Sequence, residues 1–423
     1  MGSLNGGQTR DSKVTHVGQR DLIQQDAESL CQLQMKHFFG ILIVVTTSSG
    51  FALKAEEWKK HIVTQSGRTS TAVAADFDGD GDVDVISGYP GTVSLFLAPD
   101  WEELVLHRFA KPKGNLIHSE VLDVDGDGDM DWAGSQAPGM PFWLENPGDG
   151  SGAWAARIID HDIRGIHCLL KADVDNDGNQ DLIINNFFPD GMLADSVAWF
   201  KVPKNPAMAE RWERYVFADR TARGGSHYFG FGDLDGDGWG EIAIGAKGAP
   251  FEDGNWFAYW KNPGKADVKE AWEKTLIAGN QLAATNILPG DLNGDGVMDF
   301  LASRGHSQGV IWFEGPNWTL HTIDQTIKSP HSLTLADLDG DGDLDGASCG
   351  FESREVAWYE NDGKGRFTKH LLDDAQESYD LRSVDMDGDG DLDLLNAGRA
   401  TGNVVWYETV SYTHLTLPTS PKV

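Results

Sequence analysis

The stretch DLDGDGDLD, Asp337 to Asp345, sets five aspartates within nine residues. Carboxylates this close repel one another unless a positive charge sits among them. In the pattern D-x-[DN]-x-D-G-x-x-D, side-chain oxygens at positions 1, 3, 5 and 9 and a backbone carbonyl at position 7 can surround a hard cation. The glycine at position 6 permits the turn that gathers them. An all-oxygen set without His or Cys points to Ca²⁺ and away from Zn²⁺.

The pattern occurs seven times, which predicts up to one Ca²⁺ per repeat. The expected ligands are Asp76, Asp78, Asp80 and Asp84 in the first loop, and Asp123, Asp125, Asp127 and Asp131 in the second. Asp173, Asp175, Asp177 and Asp181 form the third set, and Asp233, Asp235, Asp237 and Glu241 the fourth. Asp291, Asn293, Asp295 and Asp299 form the fifth, Asp337, Asp339, Asp341 and Asp345 the sixth, and Asp385, Asp387, Asp389 and Asp393 the seventh. Glu241 and Asn293 depart from the pattern, and their loops are expected to bind more weakly. An EF-hand needs an acidic residue at position 12, where this chain has Ser87, Gly134, Ile184, Ile244, Ala302, Ser348 and Asn396. An acidic turn that binds nothing suits one copy better than seven, because each unneutralised cluster would repel.

The elements that position these loops follow from their spacing. The loops start 46 to 60 residues apart, the length of one supersecondary unit that must stack on its neighbours to bury its apolar face. Their flanks, such as SLTLA before and LDGASCG after in the sixth repeat, read as short strands. Strand-flanked D-x-D-G-D-G-x-x-D loops, with phrases such as VAWYENDGKGRF (356–367), resemble the FG-GAP or VCBS repeats of integrin-like β-propellers. The resemblance covers about residues 56–409 and implies a fold more than an activity.

The blades can also be counted without the loops. An aromatic pair or its equivalent follows each loop: Leu95–Phe96, Phe142–Trp143, Trp199–Phe200, Tyr259–Trp260, Trp312–Phe313, Trp358–Tyr359 and Trp406–Tyr407. Their regular recurrence marks blade core in preference to sugar platforms. A last strand begins near Trp101, Trp154, Trp212, Trp272, Trp318 and Phe367, six in all, and the seventh is EEWKKHIVTQ around Trp58, ahead of the first loop. This predicts an all-β, seven-bladed propeller closed by the N-terminal strand, which becomes the outer strand of the blade built from residues 378–409.

Composition narrows the partners. A formal charge of −32 argues against a nucleic-acid or anionic-membrane partner, whose phosphates would repel this surface. Fifteen Trp and 19 Phe supply ample core, so the acidity does not signal disorder. MKHFFGILIVVTTSSGFA (35–52) has the layout of a secretory signal peptide, with an apolar run too short to span a bilayer. Residues 1–34 are read as upstream read-through, 35–55 as the signal peptide, and 410–423 as a disordered, artefactual tail. The mature chain is expected to be secreted, periplasmic or on the cell surface, and monomeric. Cys168 and Cys349, in repeats 3 and 6, are expected to be separate buried thiols.

In propellers of this kind the acid loop joins the innermost strand to the second, so the innermost strands start at the opposite mouth of the channel. Six residues before each loop stand Ser70, Ile117, His167, His227, Thr285, His331 and Tyr379, with His118 one residue later in repeat 2. His118, His167, His227 and His331 are therefore candidate site residues at one mouth. Arg164, Arg223, Glu120, Asp380, Arg382, His306 and Arg354 are expected to accompany them. Three readings stand: isolated hydrogen-bonded histidines, a polar pocket for an anionic or sugar ligand, or a transition-metal site that permits acid–base chemistry. IHCLLKAD (166–173) and WLENPG (143–148) are weakly similar to the propeller of the aldos-2-ulose dehydratases, which implies metal-dependent sugar chemistry.

One further asymmetry points to the same mouth. Blades 3 and 4 carry longer loops, NNFFPDGMLADS (185–196) and GAKGAPFEDGN (245–255), expected on the histidine face. Two functions stay open: a calcium-stabilised module binding a glycan or protein, and a metal-dependent lyase or dehydratase. No G-x-S-x-G or His-Glu-x-x-His signature appears.

Overall fold

The strand that follows each acid loop is rich in small and apolar residues, as in DVISGY (Asp84–Tyr89) and EIAIGA (Glu241–Ala246), and is buried along nearly its whole length. A strand without a polar face must be covered on both sides. The computed structural model describes residues 58–110, 116–136, 139–148 and 154–409 and shows how that is done. These residues form seven four-stranded antiparallel sheets, each acid loop joining the first strand of a sheet to its second. The only helix among the described residues is the single 3₁₀ turn Pro206–Met208. The fold is an all-β, seven-bladed propeller.

Six blades run in simple sequence order. Blade 1, for example, comprises Ala72–Ala75, Asp84–Tyr89, Thr92–Leu97 and Glu102–Arg108. Blade 7 takes its three inner strands from Asp380–Val384, Asp393–Gly398 and Asn403–Glu408, and its outer strand from Lys59–Thr64. That N-terminal strand pairs antiparallel with the third, with Lys59 opposite Glu408 and Ile62 opposite Val405. The expected read-through, signal peptide and C-terminal tail lie outside the described residues.

Packing follows the ring. Seven hydrophobic clusters lie one at each blade–blade interface, and the cluster of Val85, Phe96, Leu395 and Trp406 joins blade 1 to blade 7. The aromatic pairs lie within these clusters and are buried, Tyr259 only partly. In blade 2 the pairing of Ala133 with Trp143 and of Trp132 with Leu144 puts Trp143–Leu144 in register with Trp199–Phe200. The aromatic count alone places that pair one residue too early. Cys168 and Cys349 are buried free thiols in different blades.

Candidate functional site

In the sixth acid loop, Asp337 accepts from the amides of Gly340 at 2.8 Å and Gly342 at 3.0 Å, both glycines in the left-handed region. Asp345 accepts from Leu338 at 3.1 Å and, across the blade, from Asn361 at 2.7 Å. The backbone thus holds the carboxylates together in spite of their charge. Burial pushes the position-9 carboxyls up, to about 6 in Asp84 and Asp393 and about 7 in Asp131, Asp181, Glu241 and Asp345. In the first loop, ligand atoms of Asp76, Asp78 and Asp84 lie within 4.8 Å of one another. Asp125 Oδ1 and Asp175 Oδ1 are buried without a partner. Hard oxygens gathered where burial disfavours their charged form make a donor set that fits a divalent cation.

Three asparagines tie the loops of neighbouring blades together. Asn361 Nδ2 donates to Leu292 O in the loop of blade 5 at 2.8 Å and to Leu344 O in its own loop at 3.0 Å. Asn146 and Asn262 repeat the arrangement toward blades 1 and 3.

At the opposite mouth His167, His227 and His331 are buried and offer ligand atoms within 4.8 Å of one another. His306, from the loop between the second and third strands of blade 5, reaches over them. Its Nε2 lies 3.0 Å from His227 Nε2 and 3.3 Å from His331 Nε2. Tyr379 completes the floor, stacked on His331 with ring centroids 3.6 Å apart and its hydroxyl 3.1 Å from His167 Nε2. Burial, reinforced by neighbouring histidines, pushes His167, His227 and His331 well below their ordinary pKa, so they are neutral.

Backbone irregularities and one asparagine set this arrangement. Pairing slips between Ser226 and Phe229 and between Pro330 and Ser332, so His227 and His331 sit in bulges, which re-aim side chains. Asn185, fully buried, accepts from the amides of His167 at 2.9 Å and Cys168 at 3.0 Å, and donates to the carbonyls of Ser226 at 2.7 Å and His227 at 3.0 Å. It fixes two of the histidine strands to each other. Sequence reasoning passed over Asn185, whose only signal is its place at the start of the long blade 3 loop.

Above the histidines lies a pocket of about 470 Å³. Phe187 and Phe188 from the blade 3 loop and Lys247 and Phe251 from the blade 4 loop form one wall, with Arg68 and Arg399 among the other lining residues. The Arg399 guanidinium sits 4.1 Å from the Tyr379 ring centroid. None of Arg68, Lys247 and Arg399 joins the ion pairs found among the described residues.

His118 does not belong to this layer. It stands one residue further along its strand, in the ring that includes Cys168, Tyr228, Asn286, Ser332 and Asp380, and faces a separate channel cavity of about 490 Å³. There Arg382 Nη2 lies 2.9 Å from His118 Nε2, and Arg382 also pairs with Glu120 and Asp380, each at 3.3 Å. Glu120, Asp380 and Arg382 therefore line the channel and not the mouth. Alternation along a strand makes the difference of one position decisive. Arg164 is exposed and outside the pocket, Arg223 pairs with Asp253 at 3.3 Å, and Arg354 pairs with Glu377 at 3.5 Å.

Comparison with known proteins agrees with this architecture. BBS1N in complex with ARL6DN, soaked with lead, is similar at a TM-score of 0.53 and 11% identity, over 85% of this chain and 98% of that one. YCF48 bound to D1 peptide is similar at a TM-score of 0.52 and 12% identity, over 85% and 99%. At such identities the likeness concerns the fold alone. No curated protein matches the chain. The family model described as FG-GAP-like repeat matches residues 123–184, 233–302, 291–348 and 337–396. These segments span more than half of the sequence and carry six of its seven acid loops, so the chain belongs to the FG-GAP-like repeat family.

Proposed function

We propose that this protein is a secreted, calcium-stabilised binding propeller that takes an acidic glycan into its histidine-floored mouth. The observation that carries the reading is the set of three cations, Arg68, Lys247 and Arg399, around one pocket; none forms an ion pair among the described residues, and Glu352 is the one carboxylate in the lining. In a chain of formal charge −32, unpaired cations gathered at one place call for an anion from outside. The wall of Phe187, Phe188 and Phe251 offers rings to the apolar faces of sugars, and the volume suits one or two sugar units. Calcium in the acid loops stiffens the ring of blades that meets at this mouth.

Two of the solved neighbours hold protein partners, ARL6DN on BBS1N and a D1 peptide on YCF48. An acidic protein segment is therefore the natural competitor for the mouth. The test is retardation of the purified protein in gels containing polygalacturonate, dextran or polyglutamate. Retardation by polygalacturonate alone, lost in Lys247→Gln/Arg399→Gln, is expected. Equal retardation by dextran, preference for polyglutamate, or an unchanged variant would overturn the reading.

The convergence of imidazoles favours a second reading, a metal-dependent lyase or dehydratase acting on the same class of ligand. His167, His227, His331 and His306 would hold a transition ion, which when bound supplies Lewis acidity toward a sugar oxygen. Tyr379, its phenol pushed up to about 12 by burial, stays a proton donor beside His167. Nδ1 of His167, His227 and His331 has no acceptor among the described residues, whereas metal-bound histidines are usually held through that atom. Binding therefore ranks ahead. Elemental analysis that finds close to one zinc, manganese or iron per chain, lost in His167→Ala/His227→Ala, would reverse the order.

A further inference from the structure

The seven acid loops are not alike in what approaches them from the third strand. The residue that follows each aromatic pair in register is Leu97, Glu145, Lys201, Lys261, Glu314, Glu360 and Glu408 in blades 1 to 7. These positions are equivalent, because in six blades the next amide donates to the position-9 carboxylate: Ala98, Asn146, Asn262, Gly315, Asn361 and Thr409.

The four glutamates turn to a basic group on the outer strand of their own blade. Glu145 accepts from Arg157 at 2.6 Å, Glu314 and Glu360 lie 2.7 Å from His321 and His370, and Glu408 lies 2.9 Å from Lys59. The two lysines turn the other way. Lys201 Nζ bonds Asp175 at 2.5 Å and Asp177 at 2.6 Å. Lys261 Nζ bonds Asp235 and lies 3.9 Å from Asp237. Those aspartates stand at positions 3 and 5, whose side chains a bound cation would need.

The residue facing each lysine across the strands is Glu213 in blade 3 and Glu273 in blade 4, whereas Ala155, Thr319 and Thr368 face Glu145, Glu314 and Glu360, and Lys59 faces Glu408. In blade 3 a further donor, Asn179 Nδ2, lies 2.9 Å from Asp177. An ammonium already bonded to two carboxylates, as in Lys201, or to one with a second nearby, as in Lys261, leaves a divalent ion to displace it against its own charge.

On the reading that the acid loops are calcium sites, we propose that Lys201 and Lys261 serve as built-in counter-ions in blades 3 and 4, leaving five loops of the seven for calcium. The blades concerned are those whose loops wall the ligand pocket, so the sector that shapes the mouth is held by a cation that cannot exchange.

The test counts calcium by elemental analysis after equilibrium dialysis, on the full protein and on Lys201→Gln/Lys261→Gln. Five ions on the parent and seven on the variant are expected. The variant should also melt below the parent in chelator and recover with calcium. Seven ions on the parent would overturn the lysine assignment while leaving the loops as calcium sites. No ions on either protein would overturn the calcium reading and this proposal with it. If the variant does not fold, the parent count alone decides between five and seven.

Discussion

Asn185→Leu should loosen the histidine mouth from beneath. Asn185 makes four hydrogen bonds in a fully buried setting, two from the amides of His167 and Cys168 and two to the carbonyls of Ser226 and His227. Leucine has similar bulk but neither donates nor accepts, so four backbone groups lose their partner. At about 1 kcal/mol net for each bond, the expected loss is about 4 kcal/mol. That is a large share of the roughly 5–15 kcal/mol available to a domain, so the variant should fold but with a much lower urea midpoint. Because Asn185 joins the strands of His167 and His227, its loss should also spread those rings and weaken binding of galacturonate oligomers by about tenfold, or about 1.4 kcal/mol. Urea unfolding followed by tryptophan fluorescence, with calorimetric titration of the ligand, measures both effects. A stability loss under about 1 kcal/mol would refute the reasoning, because it would mean that water replaces the asparagine in a space the structure leaves closed.

Acid should destabilise the mouth in a definable window. His167, His227 and His331 have folded-state pKa values well below 6.5, so below that pH the unfolded chain takes up protons that the fold refuses. Their contribution is complete above about pH 6.5 and falls as pH drops toward the folded values. Unfolding free energies at saturating calcium should fall more steeply from pH 7 to 5 for the parent than for a triple His→Asn variant, and parallel curves would contradict this. In the channel, Arg382→Met leaves Glu120 and Asp380, both buried, without their counter-charge. The expected cost is about 3 kcal/mol, largely relieved in Arg382→Met/Glu120→Gln/Asp380→Asn. Urea unfolding that shows no relief would point to lost packing instead.

The ring was legible because its signals are local and repeated. Each acid loop carries its turn glycines and carboxylates within nine residues, and the surplus strand around Trp58 required a blade with a strand missing. The mouth was legible only in part. Counting six residues back from each loop found His167, His227, His331 and Tyr379, yet bulges at Ser226–Phe229 and Pro330–Ser332 are set by tertiary pairing. His118 seemed equivalent to the others, but one step along its strand moved it to the channel and to Arg382. His306 was only a companion in sequence, because nothing local shows that its loop folds back over His227 and His331. The lysines of blades 3 and 4 could have been noticed by aligning the residue after each aromatic pair. That they turn to the loop, away from the glutamate that faces each of them, is visible only in the folded blade.

Whether the mouth is an anion site is decided by calorimetric titration of trigalacturonate into the intact protein at two salt concentrations. Binding should weaken as salt rises from about 50 to roughly 300 mM, through screening of the pocket cations, and should fall by at least about tenfold in Arg399→Gln. Salt-independent binding, or binding unchanged in Arg399→Gln, would contradict an anion site there.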